Sequence, residues 1–159
     1  MRQPIRAVAI IIKNNEVLLM HRINQDKEYY VFPGGGVEDN ETVEEAVLRE
    51  LKEETSLKVK IHQLLYHHHI IGDTNDSDQY FYLCDFISGT PQLSEGDELE
   101  ENRNGTDFYE PLWYPLIKLQ ETLLYPLEIR DWLIEDLKNG FSKTTKDATF
   151  KISQLRQSI

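Results

Sequence analysis

The stretch GGGVEDNETVEEAVLRELKEETSL, residues Gly34–Leu57, decides the fold of this chain. It joins three consecutive glycines to a segment with helical periodicity. Thr42 precedes the helical pattern and Glu45 follows three residues later, which is the spacing of a capping box at a helix N-terminus. The pattern therefore predicts a helix over Thr42–Thr55, a few residues after the glycines.

One face of this predicted helix is acidic. Glu50, Glu53 and Glu54 are spaced i, i+3 and i+4, so at about 100° per residue they share an arc of roughly 100°. Like charges held this close repel one another, and a cation among them would relieve the repulsion. Carboxylate oxygens suit Mg²⁺ or Mn²⁺. The alternative is the solvated face of an ordinary amphipathic helix, whose apolar arc lies beside the acidic one and contains Val47, Leu48 and Leu51.

The three glycines, Gly34, Gly35 and Gly36, lie just before this helix. Glycine lets a backbone turn tightly and approach a ligand closely. Free backbone N–H groups and a helix N-terminus attract anions, phosphate above all. The segment predicts either a plain turn after a strand or a phosphate-attracting turn beside a metal-attracting face. The second arrangement is the one that phosphoryl chemistry needs.

This stretch resembles the signature of the Nudix hydrolases, the MutT-like family, which reads Gly-x5-Glu-x7-Arg-Glu-U-x-Glu-Glu-x-Gly-U with U a bulky aliphatic residue. The residues that match are Gly35, Glu41, Arg49, Glu50, Leu51, Glu53, Glu54 and Leu57. Ser56 stands where the family usually has glycine. That position ends the helix in a left-handed conformation, which costs a residue with a side chain about 1 kcal/mol.

The resemblance implies a metal-dependent hydrolase of phosphoanhydride bonds. It implies that Glu50, Glu53 and Glu54 bind Mg²⁺ or Mn²⁺. It also implies that one of them, or a glutamate elsewhere, is the base that activates the attacking water. We predict Glu53 as the base and Glu50 as the second candidate, because a residue that ligates metal on both sides is a poorer base.

Three further residues near the signature are candidates for supporting roles. Arg49 lies four residues from both Glu45 and Glu53, so we expect it to pair with them and to orient Glu53. Direct phosphate contact is the other interpretation of Arg49. The resemblance implies that Glu41 supports the shape of the loop before the helix. Arg22 follows the second predicted strand and is either a phosphate ligand or a surface residue.

Two other groups of side chains could bind metal. His67-His68-His69 looks like a metal cluster, but strand neighbours point to opposite faces, so at most His67 and His69 share one. A half-buried strand is favoured over a ligand role. In the family an additional carboxylate often comes from a later loop. The acids available there are Glu95, Asp97, Glu98, Glu100 and Glu101, which a solvated loop explains equally well.

Composition narrows the function classes. The chain has 159 residues, 40% of them hydrophobic and 28% charged, as expected for one soluble domain. It has no apolar run of about 18 residues, so we expect no membrane span. Cys84 is the only cysteine, which excludes an internal disulfide and favours a reducing, cytoplasmic compartment. The net charge of −11 disfavours a nucleic-acid partner, although a small metal-chelated nucleotide could bind.

The remaining pattern predicts an α/β fold, similar to the Nudix α/β/α sandwich with a mixed β-sheet. The predicted strands are Ile5–Ile12, Val17–His21, Tyr29–Phe32, Leu57–Ile71, Gln79–Ser88 and Phe108–Leu116. A second helix is predicted over Pro126–Lys138. We predict one Nudix domain over residues 1–140 and a tail over 141–159. In the tail, Thr149–Leu155 could pair with the sheet edge or with a second subunit of a homodimer.

Three functions stay open from the sequence. The first is hydrolysis of a nucleoside diphosphate linked to another moiety, by attack of water at phosphorus. The second is a non-catalytic nucleotide-binding Nudix domain, which the intact set of glutamates disfavours. The third is a Nudix-like isomerase of prenyl diphosphates, which would need a catalytic cysteine, and Cys84 lies in a strand far from the signature.

Overall fold

The computed structural model describes residues 4–93 and 107–152. Within these ranges the strands are β1 (Ile5–Lys13), β2 (Glu16–Asn24), β3 (Lys27–Val31), β4 (Gly34–Gly36), β5 (Lys58–Ile71), β6 (Ser77–Ser88), β7 (Phe108–Pro115), β8 (Leu124–Tyr125) and β9 (Lys146–Lys151). The α-helices there are α1 (Val43–Thr55) and α2 (Leu127–Asn139), and a 3₁₀ helix spans Leu116–Glu121. Neither of these α-helices is long and apolar enough to cross a membrane.

The strands form a mixed, curled sheet that is organised around β1. Its order is β8-β3-β2-β1-β6-β5-β9, with β4 also paired to β1 and β7 to β2. The pairs β1/β6, β5/β9 and β3/β8 are parallel. β1 and β2 pair only at Ile12↔Val17 and Lys13↔Glu16, next to their hairpin turn. Away from that turn β1 pairs with β4 and β6, whereas β2 pairs with β3 and β7.

Both faces of β1 are buried, and alternate residues face different helices. Ala9 and Ile11 pack in a core cluster with Leu51 of α1. Ile10 packs in a second cluster with Leu133 of α2. Burial of both faces explains why β1 is a nearly continuous apolar run. The helices cover opposite faces of the sheet, so the predicted α/β/α sandwich is confirmed.

Helix α1 begins as the sequence predicts. The Thr42 hydroxyl accepts the backbone N–H of Glu45 at 3.1 Å, and the Glu45 carboxylate accepts the N–H of Thr42 at 3.1 Å. The capping box is therefore confirmed. The apolar arc is narrower than predicted, because Val47 and Leu51 are buried whereas Leu48 is 43% exposed. Leu48 lies at the edge of the arc, on the part of the helix surface that the sheet leaves exposed to solvent.

The glycine segment is a strand, so the prediction of a turn is wrong. Gly34–Gly36 form β4 and pair antiparallel with β1, with Gly34 opposite Val8. A Cβ atom on Gly34 would lie 2.3 Å from the carbonyl oxygen of Ala7. Glycine is needed for this close approach. The segment pairs as a strand because β2 leaves this edge of β1 without a partner.

The C-terminal part adds elements that the sequence did not predict. The 3₁₀ helix and the two-residue β8 are new, and β8 runs parallel to β3. β9 begins at Lys146, before the predicted strand Thr149–Leu155, and pairs in parallel with β5. Of the two predicted partners for this segment, the structure shows the sheet edge of the same chain. Residues 153–155 of the predicted strand lie outside the described residues.

Candidate functional site

Two glutamates of α1 lie against the backbone of β4. The carboxylate of Glu50 packs on Gly35, where an added Cβ would lie 2.3 Å from Glu50 Cδ. The carboxylate of Glu54 is buried and accepts the backbone N–H of Gly34 at 3.1 Å. Without side chains at these two glycines, α1 can bring its carboxylates to the strand. The structure therefore joins the glycines and the acidic face that the sequence placed side by side.

In the structure the glycines contact side chains of the same chain, whereas one prediction from the sequence was that they bind phosphate. Because Glu54 takes the N–H of Gly34, that group already has an anionic acceptor within the chain. The carbonyl oxygen of Gly36 accepts a hydrogen bond from Arg49 Nη2 at 2.9 Å. Gly34, Gly35 and Gly36 thus support the carboxylates and Arg49 in this structure. Their phosphate-binding role stays a prediction.

Arg49 links the glutamates of the site. Its Nε and Nη2 atoms donate to both oxygens of Glu41, at 2.7 and 3.0 Å. Its Nη1 donates to Glu50 at 2.8 Å and to Glu53 at 3.5 Å. The predicted pairing with Glu53 is confirmed, although its distance is long. The predicted pairing with Glu45 is wrong, because the Glu45 carboxylate caps the helix instead.

These ion pairs shift two pKa values. The hydrogen bond from Arg49 holds the pKa of the Glu41 carboxyl below its usual range. The same bond raises the pKa of Arg49 above its usual value against the opposing effect of burial. Arg49 makes its bidentate contact with Glu41, and Glu50, Glu53 and Glu54 place three carboxylates on adjacent turns of α1. An all-oxygen donor set of this kind suits a hard divalent cation.

Ser56 ends α1 in the conformation that the family's glycine would adopt. Its φ of 63° and ψ of 13° are left-handed, and its N–H donates to the carbonyl oxygen of Lys52 at 3.1 Å. The Ser56 hydroxyl donates to the carbonyl oxygen of Gln92 at 2.7 Å. A hydrogen bond of this kind contributes about 1 kcal/mol, which offsets the backbone cost. The departure from the signature therefore leaves the helix end intact.

A cavity of about 270 Å³ opens beside Gly34 and Glu54. Its size is close to the lower end of small-molecule sites, about 300 Å³. Arg22 lies in its wall, where Nη2 donates to the Tyr109 hydroxyl at 2.6 Å and the guanidinium lies 4.3 Å from the centre of the Tyr109 ring. The structure thus places Arg22 in the wall of the cavity that Glu54 also lines, and not on an open surface.

Sequence reasoning missed most of the cavity wall. Besides Arg22, the wall includes Arg6, Phe32, His68, Gln79 and Tyr109. These residues come from five separate segments, so no local spacing connects them. His68 is fully buried, and neither ring nitrogen has a hydrogen-bond partner among the described residues. Burial, with a smaller effect from His67, lowers the pKa of His68 to about 4, which keeps the ring neutral.

Two remaining candidates lie away from this site or outside the described residues. Cys84 is buried among the residues that pack on α1, and burial raises the pKa of its thiol to about 12. Such a thiol is a poor nucleophile, which argues against the isomerase. The loop acids lie outside the described residues; they are Glu95, Asp97, Glu98, Glu100 and Glu101.

The resemblance to a known family extends well beyond the signature. A model of the NUDIX domain family matches residues 3–133. An ADP-ribose pyrophosphatase of Methanocaldococcus jannaschii is 40% identical over 99 residues, 58% of this chain and 55% of that protein. An RNA pyrophosphohydrolase of Pseudomonas paraeruginosa is 51% identical over 53 residues, 32% of each chain. The matched segments thus span about half and a third of these curated relatives.

The solved structures extend the similarity to most of the chain. A NUDIX hydrolase from Nitrosomonas europaea superimposes with a TM-score of 0.68 over 88% of this chain and 91% of that one. Its sequence identity is 16%, so this match shows the fold alone.

Proposed function

The chain belongs to the Nudix family, and we propose that it is a metal-dependent pyrophosphohydrolase. Its substrate is a nucleoside diphosphate linked to another moiety, which water cleaves at phosphorus into two phosphorylated fragments. One observation carries the proposal: Glu50 and Glu54 reach the β4 backbone, and Glu54 also lines an open cavity beside Gly34. Carboxylates that suit a cation and a space for a ligand therefore meet at Glu54.

We assign the metal to Glu50, Glu53 and Glu54. The side chains of Glu50 and Glu53 are 12% and 27% exposed, so water can complete the coordination of Mg²⁺ or Mn²⁺. Such a cation, when bound, neutralises phosphate charge and acidifies water. Arg49 holds Glu50 and Glu53 in position through Nη1, while its Nε and Nη2 atoms bind Glu41.

The environments of the three glutamates support different roles. Glu54 is buried and fixed by the Gly34 N–H, which suits a rigid ligand. Glu50 is held by a short contact with Arg49 and by the backbone at Gly35. Glu53 lies 3.5 Å from Arg49, farther than Glu50, and its side chain is more exposed than that of Glu50, so it can accept a proton from the attacking water. We therefore assign the base to Glu53 and keep Glu50 as the second candidate.

The cavity supports a substrate with a nucleoside part. Phe32 and Tyr109 provide aromatic surface, and Arg22 provides a cation for a phosphate or a base. ADP-ribose is the first compound to test, because the longer of the two curated matches is to an ADP-ribose pyrophosphatase. The charge of −11 opposes a long RNA, even though one relative is named an RNA pyrophosphohydrolase. Cytoplasmic location and a homodimer stay predictions.

The test is a hydrolysis screen with Mg²⁺ and with Mn²⁺, in which phosphorylated fragments are separated by anion exchange. The panel contains ADP-ribose, an oxidised nucleoside triphosphate, a dinucleotide polyphosphate and 5′-triphosphate RNA. Glu53→Gln should lower turnover at least about 100-fold, the usual scale for a catalytic base. Glu135→Gln, at an exposed position of α2, is the matched control and should leave turnover unchanged.

Each outcome changes a different part of the proposal. Near-normal turnover of Glu53→Gln would move the base to Glu50 or to a later carboxylate. Binding of nucleotides without any released fragment would replace the enzyme by a nucleotide-binding domain. Cleavage of one compound that needs both metal and Glu53 would support the mechanism and name the substrate class.

A further inference from the structure

A group of metal-binding side chains lies on β5 and β6, on the sheet face opposite the cavity. His67 and His69 flank the cavity residue His68, and Asp78 pairs opposite His69 on β6. His67 Nε2 and His69 Nδ1 lie 2.6 and 2.8 Å from the same oxygen, Asp78 Oδ1. All three ligand atoms lie within 4.8 Å of one another. Two imidazoles and a carboxylate therefore converge on one point.

The outer nitrogens of both imidazoles also face carboxylates. His67 Nδ1 lies 2.8 Å from Asp147 Oδ1 on β9, and His69 Nε2 lies 3.5 Å from Asp76 Oδ2. Metal-bound histidines almost always donate their second N–H to a carboxylate or carbonyl, which fixes the ring. Tyr80 stacks on His67 with ring centres 4.5 Å apart and planes 5° apart. The rings are therefore oriented from outside as they are in metal sites.

We propose that His67, His69 and Asp78 bind one Zn²⁺ ion, with water as the fourth ligand. Mixed nitrogen and oxygen donors suit Zn²⁺, whereas Mg²⁺ prefers oxygen alone. Ligand atoms of a tetrahedral zinc site lie roughly 3.3 Å apart, given bonds of about 2.0–2.1 Å. The observed contacts of 2.6 and 2.8 Å need to open by less than 1 Å as the ion replaces the bridging protons.

An ion can reach His67, His69 and Asp78 from solvent, and an ion bound there would connect neighbouring strands. The three side chains are 23%, 27% and 14% exposed, so the ion can enter from solvent and remain mostly covered. Asp147 belongs to β9, the edge strand of the sheet. Through His67 the ion connects this edge strand to β5 and β6. Loading with Zn²⁺ therefore raises the midpoint of thermal unfolding, because the ion binds the folded chain in preference to the unfolded one.

The test is calorimetric titration of the metal-stripped chain with Zn²⁺ in excess Mg²⁺, which occupies the α1 carboxylates. Co²⁺ serves as a second probe, since its visible spectrum reports tetrahedral coordination. We expect one Zn²⁺ per chain, lost in the His67→Ala/His69→Ala double variant. His62→Ala is the matched control, because His62 lies on the same strand beside Asp85 and outside the cluster. It should retain the ion, as should Glu53→Gln.

Asp147→Asn keeps the test decisive if the double variant unfolds. Loss of the outer carboxylate should weaken Zn²⁺ binding about 10- to 100-fold. Equal affinity of Asp147→Asn and the unaltered chain would overturn the proposed site. Absence of Zn²⁺ binding to the unaltered chain at micromolar concentration would also overturn it and leave a network of hydrogen bonds. Because the readout is binding, the proposal stands apart from the hydrolase activity.

Discussion

The carboxylates of α1 and the histidine cluster of β5 and β6 are two candidate cation sites built in different ways. The first takes Glu50, Glu53 and Glu54 from consecutive turns of one helix. The second takes its inner side chains from two strands and an outer carboxylate from a third. Helical periodicity reveals the whole first site in the sequence, whereas strand alternation reveals only the two histidines of the second; the pairing of His69 with Asp78 adds the carboxylate. A site within one element can be predicted from spacing; a site between elements depends on register.

The donor atoms differ as well, which allows the two sites to be separated experimentally. The α1 site offers carboxylate oxygens, while the cluster offers two imidazole nitrogens and one carboxylate. Hard Mg²⁺ is expected at the first and Zn²⁺ at the second.

Selective metal removal gives the largest expected effect. Chelation should reduce turnover at least about 100-fold, as much as loss of the base, and Mg²⁺ alone should restore it. The His67→Ala/His69→Ala double variant should recover in the same way, because its α1 carboxylates are unchanged. Initial rates of fragment release measure the loss and recovery of turnover in the unaltered chain and in the double variant. A chain that needs Zn²⁺ as well as Mg²⁺ for turnover would show that the sites are coupled.

Gly35→Ala tests how closely the carboxylates approach the strand. The new Cβ would lie 2.3 Å from Glu50 Cδ and displace that carboxylate, so turnover should fall about 10- to 100-fold. Gly36→Ala is the comparison, since no heavy atom of the described residues, apart from Gly36 and its chain neighbours, lies within 4 Å of the added Cβ; this variant should lose less turnover. Steady-state kinetics and circular dichroism of both variants provide the measurement. Equal losses would contradict a specific role for the Glu50–Gly35 contact.

Arg49→Lys tests the link between the helix and the loop before it. Lysine cannot make the bidentate contact with Glu41 and still reach Glu50, so the free energy of unfolding should fall by about 1–2 kcal/mol. Urea denaturation measures this, and a cycle with Glu41→Gln isolates the pair.

Acidification provides a second readout of the same pair. Arg49 lowers the pKa of Glu41 in the folded chain. The stabilisation from this pair is therefore complete above the pKa that Glu41 has in the unfolded chain, and it is lost as the pH falls through the lowered pKa of the folded chain. The variant should lose less stability on acidification than the unaltered chain. An equal loss in both would mean that Arg49 does not hold Glu41 ionised.

Ser56→Gly should have the smallest effect. Glycine removes a backbone cost of about 1 kcal/mol, but it also removes the hydrogen bond to Gln92, which contributes a similar amount. The free energy of unfolding should change by less than about 0.5 kcal/mol. Thermal unfolding measures the difference. Stabilisation by more than about 1 kcal/mol would show that the Ser56 hydroxyl contributes nothing to the helix end.

The sequence predicted those parts of the molecule whose information is local. Thr42 and Glu45 specify the start of α1, and the spacing of Glu50 to Glu54 specifies its acidic face. The alternation at His67, His68 and His69 was also predicted correctly. The glycine strand β4 was not predicted, because a three-residue strand without side chains has no periodicity, and its pairing depends on an edge of β1 that β2 leaves open.

The sequence by itself determined the family signature, the acidic and apolar faces of α1, and the longer strands and helices. Only the tertiary structure decided that Glu54 binds the Gly34 N–H, that Arg22 lines a cavity, and that Asp78 reaches the histidines. The physical reason is the range of the interactions. Hydrogen bonds within a helix act over a few residues, whereas cavities and ligand clusters require strand register and sheet curvature, which emerge only when distant segments pack together.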